Sequence, residues 1–191
     1  MPGRRVLVIN GHPDPSGQRY CTALSAAYLR GADLAGHQIR RLDVGALKLA
    51  PIPSPAAFLE EPDEAARAVQ AAIRWAQHVV IVYPLWVGGP PAMLKAFLEQ
   101  VFRYGFALAA PGEKGGGLLK GRTARVIITM GMPGPVFSLF FDAAGLKCLT
   151  RGILKLSGFS VRSTIIGGVE GSVEHRKVWL TRVEAMGAYA V

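Results

Sequence analysis

The sequence predicts an α/β protein built on a doubly wound, five-stranded parallel sheet, with strand order 2-1-3-4-5 and helices on both faces. Short β-branched apolar runs alternate five times with helical patterns along the 191 residues, an alternation typical of a parallel sheet covered by helices. Glycine and proline concentrate in the loops after the first, third and fourth runs. Right-handed crossovers leave few arrangements, and 2-1-3-4-5 is the economical one.

Composition favours a single domain over residues 1–191, in a cytoplasmic protein without an integral membrane segment. A chain of 191 residues can build one sizeable core and is slightly short for two. No apolar run approaches the roughly 20 residues of a membrane-spanning helix, and the run behind Arg4 and Arg5 is too short for a signal peptide. Cys21 and Cys148 follow no metal-ligand spacing, so we predict no metal site and interpret both as buried thiols.

The formal charge of +9 raises the question of a nucleic-acid partner. The basic residues are dispersed, and the densest groups, at residues 4–5, 40–41 and 122–125, do not interleave with aromatic side chains as in a single-strand binder. We therefore predict no nucleic-acid partner and a general attraction for anionic small molecules.

The first two predicted strands differ in their pattern. Residues 4–10 are mostly apolar, and the loop that follows leads into a helix beginning near Arg19. Residues 38–44 alternate apolar side chains with arginine and aspartate, which favours an edge strand.

Residues 79–82 form the predicted central strand. Prolines make residues 45–62 a connecting loop, and the acidic pair that follows begins a helix over residues 63–75. The β-branched run Val79–Val82, bounded by proline and glycine, suits a strand covered on both faces. A helix begins after its loop, at Ala92.

The second half of the chain supplies the remaining strands. The glycine-rich residues 105–121 predict a flexible surface connection, and residues 124–130 the fourth strand. An apolar helix is expected over residues 136–156, with Gly145 and Gly152 as its weak points. The fifth strand covers residues 159–166, and the last helix runs from 173 to about 186.

The first loop, GHPDPSGQRY, has the features of an anion site. It leads into a helix N-terminus, where unpaired N–H groups favour a phosphate. Ser16 can donate its hydroxyl, Gly17 allows close approach, Arg19 adds positive charge and His12 can donate to the same phosphate. The loop matches neither GxGxxG nor GxxxxGK[ST], which disfavours an ordinary dinucleotide fold or a P-loop kinase. The alternatives are a helix N-cap for Ser16 and a structural role for His12.

The loop after the third strand is suited to an aromatic ring. Trp86 and the prolines make residues 83–91 stiff and apolar, while Gly88 and Gly89 leave backbone N–H groups open to a flat ligand. In the predicted strand order this loop, the first loop and residues 129–135 share one rim of the sheet, beside the point where the strand order reverses. A phosphate on one loop and a flat ring on the next describe a flavin nucleotide.

Three motifs carry a resemblance to a known family. HPDPS after the first strand, YPLWVGGPPAMLKAFLEQVFRYGFAL, and TMG after the fourth strand resemble the flavodoxin-like NAD(P)H:quinone oxidoreductases, which include the DT-diaphorase type and bacterial quinone reductases. The similarity covers nearly the full chain, and the middle motif is by far the most specific.

The resemblance implies a flavodoxin-like fold, non-covalent FAD or FMN, and NAD(P)H as co-substrate. It implies hydride transfer through the flavin to a quinone or similar small acceptor in a ping-pong reaction, and a homodimer whose second subunit partly roofs the site. It also assigns cofactor contacts: His12, Ser16, Gln18 and Arg19 at the phosphates, Pro84, Leu85, Trp86, Val87 and Gly88 at the isoalloxazine, and Thr129, Met130, Gly131 and Met132 at its pyrimidine end.

The sequence departs from the family pattern at several of these places. The family more often has asparagine at Arg19 and an aromatic residue at Val87. The tyrosine and histidine that are thought to stabilise charge on the reduced flavin are replaced by Phe137 and Ala143, which donate no hydrogen bond. No catalytic side chain is therefore assigned.

Compensation for the negative charge on the reduced flavin must then come from other groups. The candidates are the backbone N–H groups of residues 131–132, or a cation such as Lys147 or Arg151. The phenylalanines of this part of the chain, Phe106, Phe137, Phe140 and Phe141, are open to three interpretations: core, an apolar roof over the ring, or a dimer face.

Two other functions stay open at this point. One is a flavin-binding regulatory subunit of a membrane transport system, with little or no turnover of its own. The other is an electron-carrying flavodoxin, which the charge of +9 argues against because the resemblance implies that such carriers are acidic. FAD or FMN, and NADH or NADPH, also stay open.

Overall fold

The computed structural model describes residues 3–110, 112 and 115–190, and its centre is a five-stranded sheet. The strands are all parallel and lie in the order β2-β1-β3-β4-β5, which confirms the predicted fold class. They cover Arg5–Asn10 (β1), Gln38–Asp43 (β2), His78–Pro84 (β3), Thr123–Thr129 (β4) and Ser160–Ile166 (β5).

Seven α-helices surround the sheet in the described part of the chain. They are α1 (Tyr20–Leu34), α2 (Pro55–Leu59), α3 (Glu64–Trp75), α4 (Ala92–Val101), α5 (Gly134–Phe140), α6 (Ala144–Lys147) and α7 (Val173–Tyr189). A short 3-10 turn, Val44–Ala46, follows β2, and a π-helix, Cys148–Lys155, continues α6. Within the described ranges, none of these helices has the length and hydrophobicity needed to cross a bilayer.

Alternating side chains of β3 supply two cores. Val80 and Val82 lie in a core with residues of α1 and α7. Val79 and Ile81 lie in the opposite core, with residues of α3, α4 and α6. Because successive side chains of a strand point to opposite faces, a fully apolar run is buried only where both faces are covered. This explains why β3 is central and why β2, exposed over most of its length, lies at an edge.

The prediction of one continuous helix over residues 136–156 is wrong. The chain breaks after α5, where Asp142 and Ala143 have φ values of 50° and 48°. Two consecutive left-handed residues cannot continue a right-handed helix. The predicted weak points, Gly145 and Gly152, both lie within the helical segments that follow the break.

Two further sequence predictions need correction. Cys21 is buried as expected, but Cys148 is exposed. The connection over residues 105–121 is anchored in the core by Phe106, Ala107 and Leu119, which are at most 4% exposed. Of the residues for which flexibility was predicted, 111 and 113–114 lie outside the described part of the chain.

Candidate active site

Three loops meet at the carboxyl edge of the sheet, as the strand order predicts. The β1–α1 and β3–α4 loops adjoin because β1 and β3 are hydrogen-bonded neighbours, and the His12 and Trp86 rings meet edge to face at 5.7 Å. The β4–α5 loop adjoins on the other side, where the Leu85 N–H donates to the Thr129 carbonyl at 2.8 Å. The loops lie at the reversal of strand order, where open α/β sheets bind ligands.

The β1–α1 loop ends in a helix N-terminus that lacks a side-chain cap. The N-cap residue of α1 is Arg19, which makes no side-chain cap hydrogen bond, and the first turn contains no acidic residue. The alternative interpretation of Ser16 as the N-cap is therefore wrong. Within residues 3–110, the N–H groups of Gly17 and Arg19 donate to no acceptor. Together with the first-turn N–H groups of α1, they form a site suited to an anion.

His12 is fixed as a neutral hydrogen-bond donor. Its Nδ1 accepts from the Asp14 backbone N–H at 3.0 Å, which places the proton of the neutral ring on Nε2. Partial burial, and then the positive charge of Arg19, lower the pKa of His12. At neutral pH the Nε2–H therefore remains available to an anion at the loop.

The charge of Arg19 is partly neutralised by a residue that the sequence interpretation overlooked. Arg19 Nε donates to Asp14 Oδ2 at 2.6 Å, and the Ser16 N–H donates to the other carboxylate oxygen at 2.8 Å. The Ser16 N–H and the Arg19 side chain lower the pKa of Asp14 to about 2. Asp14 is thus ionised at neutral pH, and it fixes the loop and Arg19 rather than attracting an anion.

Asn10 is a second overlooked residue. It is 3% exposed at the end of β1, and its Nδ2 donates to Thr22 Oγ1 at 3.1 Å and Asp43 Oδ1 at 2.9 Å. Its side-chain oxygen accepts from the His12 N–H at 3.3 Å. Asn10 therefore ties the loop to α1 and β2. The only sequence signal for this role is an amide at the end of an apolar strand.

The β3–α4 loop contains a tight two-residue turn. Trp86 and Gly89 exchange N–H···O bonds of 2.9 and 3.0 Å, and both residues between them have positive φ, 47° for Val87 and 79° for Gly88. This pattern is that of a type I′ hairpin turn. In the described part of the chain, the N–H groups of Val87 and Gly88 have no acceptor. The turn therefore presents two free donors beside the half-exposed Trp86 ring.

Replacing Val87 by asparagine is expected to stabilise the protein by about 1 kcal/mol, since a β-branched residue at positive φ is strained and asparagine is not. Val87 is fully exposed, so no packing is lost with its side chain. Chemical denaturation of the two proteins measures the difference. The matched control is Val136→Asn, at a partly exposed valine without positive φ; an equal gain from both would contradict the strain at Val87.

The β4–α5 loop contributes backbone more than side chains. Thr129 and Met130 are 4% exposed, and Met130 is bonded through its N–H to Ile166 and through its carbonyl to Val169, so it lies beneath the rim. The next two residues differ, because the N–H groups of Gly131 and Met132 have no partner among the described residues.

Glu170 was not predicted at this site. It lies on the β5–α7 loop, which packs along the β4–α5 loop: a methyl group added to Gly131 would lie 3.0 and 3.1 Å from the two carboxylate oxygens of Glu170. The contact joins segments far apart in sequence. No local pattern reveals it.

The aromatic residues of this region separate into two groups. Phe106 and Phe137 belong to the core, and Ala143 is also buried beside them, so the two positions that replace the family's tyrosine and histidine face inward. Phe140 and Phe141 are 81% and 54% exposed. Phe106 and Phe137 are therefore core residues, whereas Phe140 and Phe141 are not.

The candidate cations lie beside the edge strand β5. Lys147 forms an ion pair with Asp142. Together with Arg151 it lines a hollow against Val161 and Ser163 of the edge strand β5. Of the candidates for charge compensation, the free N–H groups of Gly131 and Met132 are the ones at the rim where the loops meet.

This arrangement defines a class of proteins: a doubly wound 2-1-3-4-5 sheet with a turn suited to an anion, and a tight turn beside Trp86, at its switch point. The model of a family described as having a flavodoxin-like fold matches residues 4–189. The chain belongs to this flavodoxin-like family.

Individual relatives agree with that assignment. An uncharacterised NAD(P)H oxidoreductase of Haemophilus influenzae is 35% identical over 81 residues, covering 42% of this chain and 40% of that protein. An FMN-dependent NADH:quinone oxidoreductase of Burkholderia lata is 30% identical over 120 residues, covering 63% and 55%. The chain thus spans about half the length of the curated relatives it matches.

A solved structure shows the same fold over nearly the whole chain. The NAD(P)H:quinone oxidoreductase of Methanothermobacter marburgensis superposes with a TM-score of 0.82 at 21% identity, covering 97% of this chain and 96% of that one. At this identity the likeness concerns the fold.

Proposed function

We propose that the protein is a flavin-dependent NAD(P)H oxidoreductase that passes a hydride from NAD(P)H through a non-covalent flavin to a quinone or similar small acceptor. The observation that carries the proposal is the meeting, at one rim, of an uncapped helix N-terminus and a turn with two free N–H donors beside Trp86. One relative named an NAD(P)H oxidoreductase and another named an NADH:quinone oxidoreductase support the same activity.

The chemical groups at the rim fit a flavin nucleotide. A phosphate requires donors, which the N–H groups of Gly17 and Arg19, the Ser16 hydroxyl and His12 Nε2–H supply. A flat ring requires an open surface, and a methyl group added to Gly88 or Gly89 meets nothing within 4 Å. The rim thus offers hydrogen-bond donors for a phosphate on one loop and an open surface for a flat ring on the neighbouring loop, as a flavin nucleotide requires.

The flavin, when bound, supplies the hydride-accepting chemistry. The protein's part is to bind and orient it. His12, Ser16, Gln18 and Arg19 would hold the phosphate end, and the rigid 84–88 segment, Pro84 to Gly88, would fix the plane of the ring. The free N–H groups of Gly131 and Met132, which follow Thr129 and Met130, would stabilise negative charge at its far edge.

The choice between FAD and FMN depends on space beyond the phosphate loop. A hollow of about 540 Å³ adjoins that loop and is lined by Gln18, Tyr20, Ala26 and Arg176 among others. This hollow is open to solvent and could accommodate an adenosine half, which would favour FAD, whereas the Burkholderia relative is named FMN-dependent. Since the reduced nicotinamide is a cytoplasmic metabolite, the cytoplasm is the proposed site of action.

We propose that a second copy of the chain covers the apolar face of α5. Leu139 and Phe140 are 79% and 81% exposed there, next to the half-exposed Phe141. Contiguous exposed apolar groups of this kind mark interfaces in soluble proteins. A homodimer would bury them next to the site and exclude water from it.

The purified protein is expected to be yellow, to bleach anaerobically with NADPH or NADH, and to recover its colour with menadione. Chromatography of the flavin released on denaturation identifies FAD or FMN, and sedimentation equilibrium measures the mass of the dimer. A yellow protein inert to both nicotinamides would favour the flavin-binding regulatory subunit. A protein with no affinity for either flavin after reconstitution would end the proposal.

A further inference from the structure

The β5–α7 loop holds Glu170 at a fixed place beside the candidate site. Gly168 N–H donates to the Met132 carbonyl at 3.1 Å, and Val169 N–H donates to the Met130 carbonyl at 3.2 Å. Arg176 Nη1 donates to the Val169 carbonyl at 2.7 Å. Val169, the residue before Glu170, is therefore hydrogen-bonded through both its N–H and its carbonyl. Hydrogen bonds therefore fix the backbone that places the Glu170 carboxylate at the rim.

The carboxylate of Glu170 stands over Gly131 without a counter-ion. Both of its oxygens lie 3.0 to 3.1 Å from the position of a methyl group on Gly131, and in the described part of the chain Glu170 forms no ion pair or hydrogen bond. It lies next to the free N–H groups of Gly131 and Met132.

The other titratable groups near this turn come from α7 and α1. His175 is bonded through Nε2 to the Gly167 carbonyl at 2.9 Å, and Arg176 is occupied with the Val169 carbonyl. Glu174 lies 3.4 Å from Lys177, and Tyr20 donates to the Arg176 carbonyl at 3.0 Å. The β4–α5 loop itself contains no ionisable side chain from residue 130 to residue 135. Glu170 is therefore the charge that a ligand on this loop meets.

A nearby negative charge disfavours a second negative charge and favours protonated forms. Reduction of a flavin by NAD(P)H delivers a hydride, that is two electrons and one proton, to flavin N5, and NAD(P)⁺ leaves. The ring then carries one negative charge unless a further proton arrives from solvent at N1. A carboxylate beside the N1 edge raises the cost of the charged form and can pass that proton.

We infer that Glu170 couples reduction of the bound flavin to uptake of this second proton, taking it from solvent and keeping the reduced ring neutral. The inference rests on the proposed function. Glu170 would then take over the handling of negative charge on the reduced flavin, a role that the family's tyrosine and histidine cannot fill here because Phe137 and Ala143 occupy their positions. The missing pair would stabilise the negative charge, whereas Glu170 would pass the proton that neutralises it; the N–H groups of Gly131 and Met132 would stabilise the charge until that proton arrives.

The test is the pH dependence of the flavin midpoint potential in the wild-type holoprotein and in Glu170→Gln. In a plot of midpoint potential against pH, the slope at low pH corresponds to two protons taken up with two electrons. Above the pH at which the slope changes, the break, only one proton is taken up. Without the carboxylate the charged form becomes easier to reach, so the break in E170Q is expected about one pH unit or more below that of the wild type, a tenfold loss of proton affinity. The matched control is Glu174→Gln, the same charge change on the first turn of α7, which should leave the break in place.

Flavin affinity separates the possible failures. E170Q that binds flavin like the wild type but shows an unmoved break overturns the role of Glu170 and leaves the proposed function standing. An equal shift in E170Q and E174Q also overturns it, because the effect would then be one of overall charge. Wild-type protein that binds neither FAD nor FMN overturns both proposals.

Discussion

Replacing Gly145 by alanine is expected to lower the proposed flavin-dependent quinone reduction about 100-fold, because the substitution displaces the tight turn beside Trp86 by about 1 Å. A methyl group on Gly145 would lie 2.1 Å from the Gly88 carbonyl oxygen and 2.9 Å from Gly89 Cα. Both neighbours are backbone atoms, which cannot rotate away. Either α6 or the turn has to move.

The turn is the more easily moved of the two. Leu146 and Leu149, on either side of the α6 to π-helix junction, are buried in the main core, whereas Val87 and Gly88 are exposed. Core packing resists displacement more than an exposed turn does. The free N–H groups of Val87 and Gly88 would therefore shift, and flavin affinity is expected to fall together with turnover.

Gly152→Ala is the matched control. Gly152 lies in the π-helix that continues α6, and a methyl group there meets nothing within 4 Å. Alanine in place of an exposed helical glycine stabilises a helix by up to about 1 kcal/mol, so this variant should keep wild-type turnover. Flavin titration, steady-state kinetics and thermal unfolding of both variants make the comparison. A Gly145→Ala protein with wild-type flavin affinity and turnover would show that the contact does not position the turn.

The same glycine shows where sequence reasoning succeeds and fails. The strands, their order and the rim shared by three loops follow from local patterns, because a β-branched run such as that of β3 has few places in an α/β fold. Gly145 is different. From the sequence it is a weak point in a helix, whereas in the structure its missing side chain is what lets α6 approach Gly88. That distance depends on packing between segments that no local pattern relates.

The break at Asp142 and Ala143 and the position of Glu170 escaped prediction for a related reason. Non-glycine residues adopt left-handed φ rarely, and alanine gives no signal for it. The carboxylate of Glu170 reaches Gly131 because two loops pair through their backbones, and backbone hydrogen bonds leave little trace in side-chain identity. Asp14 lies within the predicted loop, but the sequence does not determine that its carboxylate pairs with Arg19 rather than with another group.

The second large effect concerns stability, and it originates at the opposite end of β3. Lowering the pH from 7 to 5 is expected to destabilise the protein by about 2 kcal/mol through His78 alone. His78 is completely buried. Its Nδ1 lies 2.7 Å from Thr123 Oγ1 and its Nε2 lies 2.9 Å from the Tyr28 hydroxyl. Both ring nitrogens are thus occupied by neutral hydroxyl partners, which do not compensate a charge.

Burial, and after it the positive charges of Arg4 and Arg125, lower the pKa of His78 to about 3. In the unfolded chain the pKa is near the ordinary 6.5. The unfolded state therefore takes up a proton that the folded state refuses. The full stability is present above pH 6.5, and it is lost progressively as the pH falls from 6.5 towards 3.

Urea denaturation at pH 7, 6 and 5 measures this loss, and the melting temperature should fall by roughly 4–8 °C over the same range. Three aspartates, Asp14, Asp43 and Asp142, have a lowered pKa and an ordinary value of 3.8, so their contribution is lost mainly below this window. His12, whose pKa is also lowered, is only partly buried and contributes less.

His78→Asn separates these groups, because asparagine can bond the same hydroxyls and does not titrate between pH 5 and 7. The variant is expected to be less stable at pH 7, where a smaller side chain leaves a cavity, and to lose most of the slope between pH 7 and 5. His12→Asn should keep most of that slope. If His78→Asn retains the wild-type dependence, the proton taken up on unfolding belongs to another group, and the buried ring at the start of β3 has no part in the acid sensitivity of the fold.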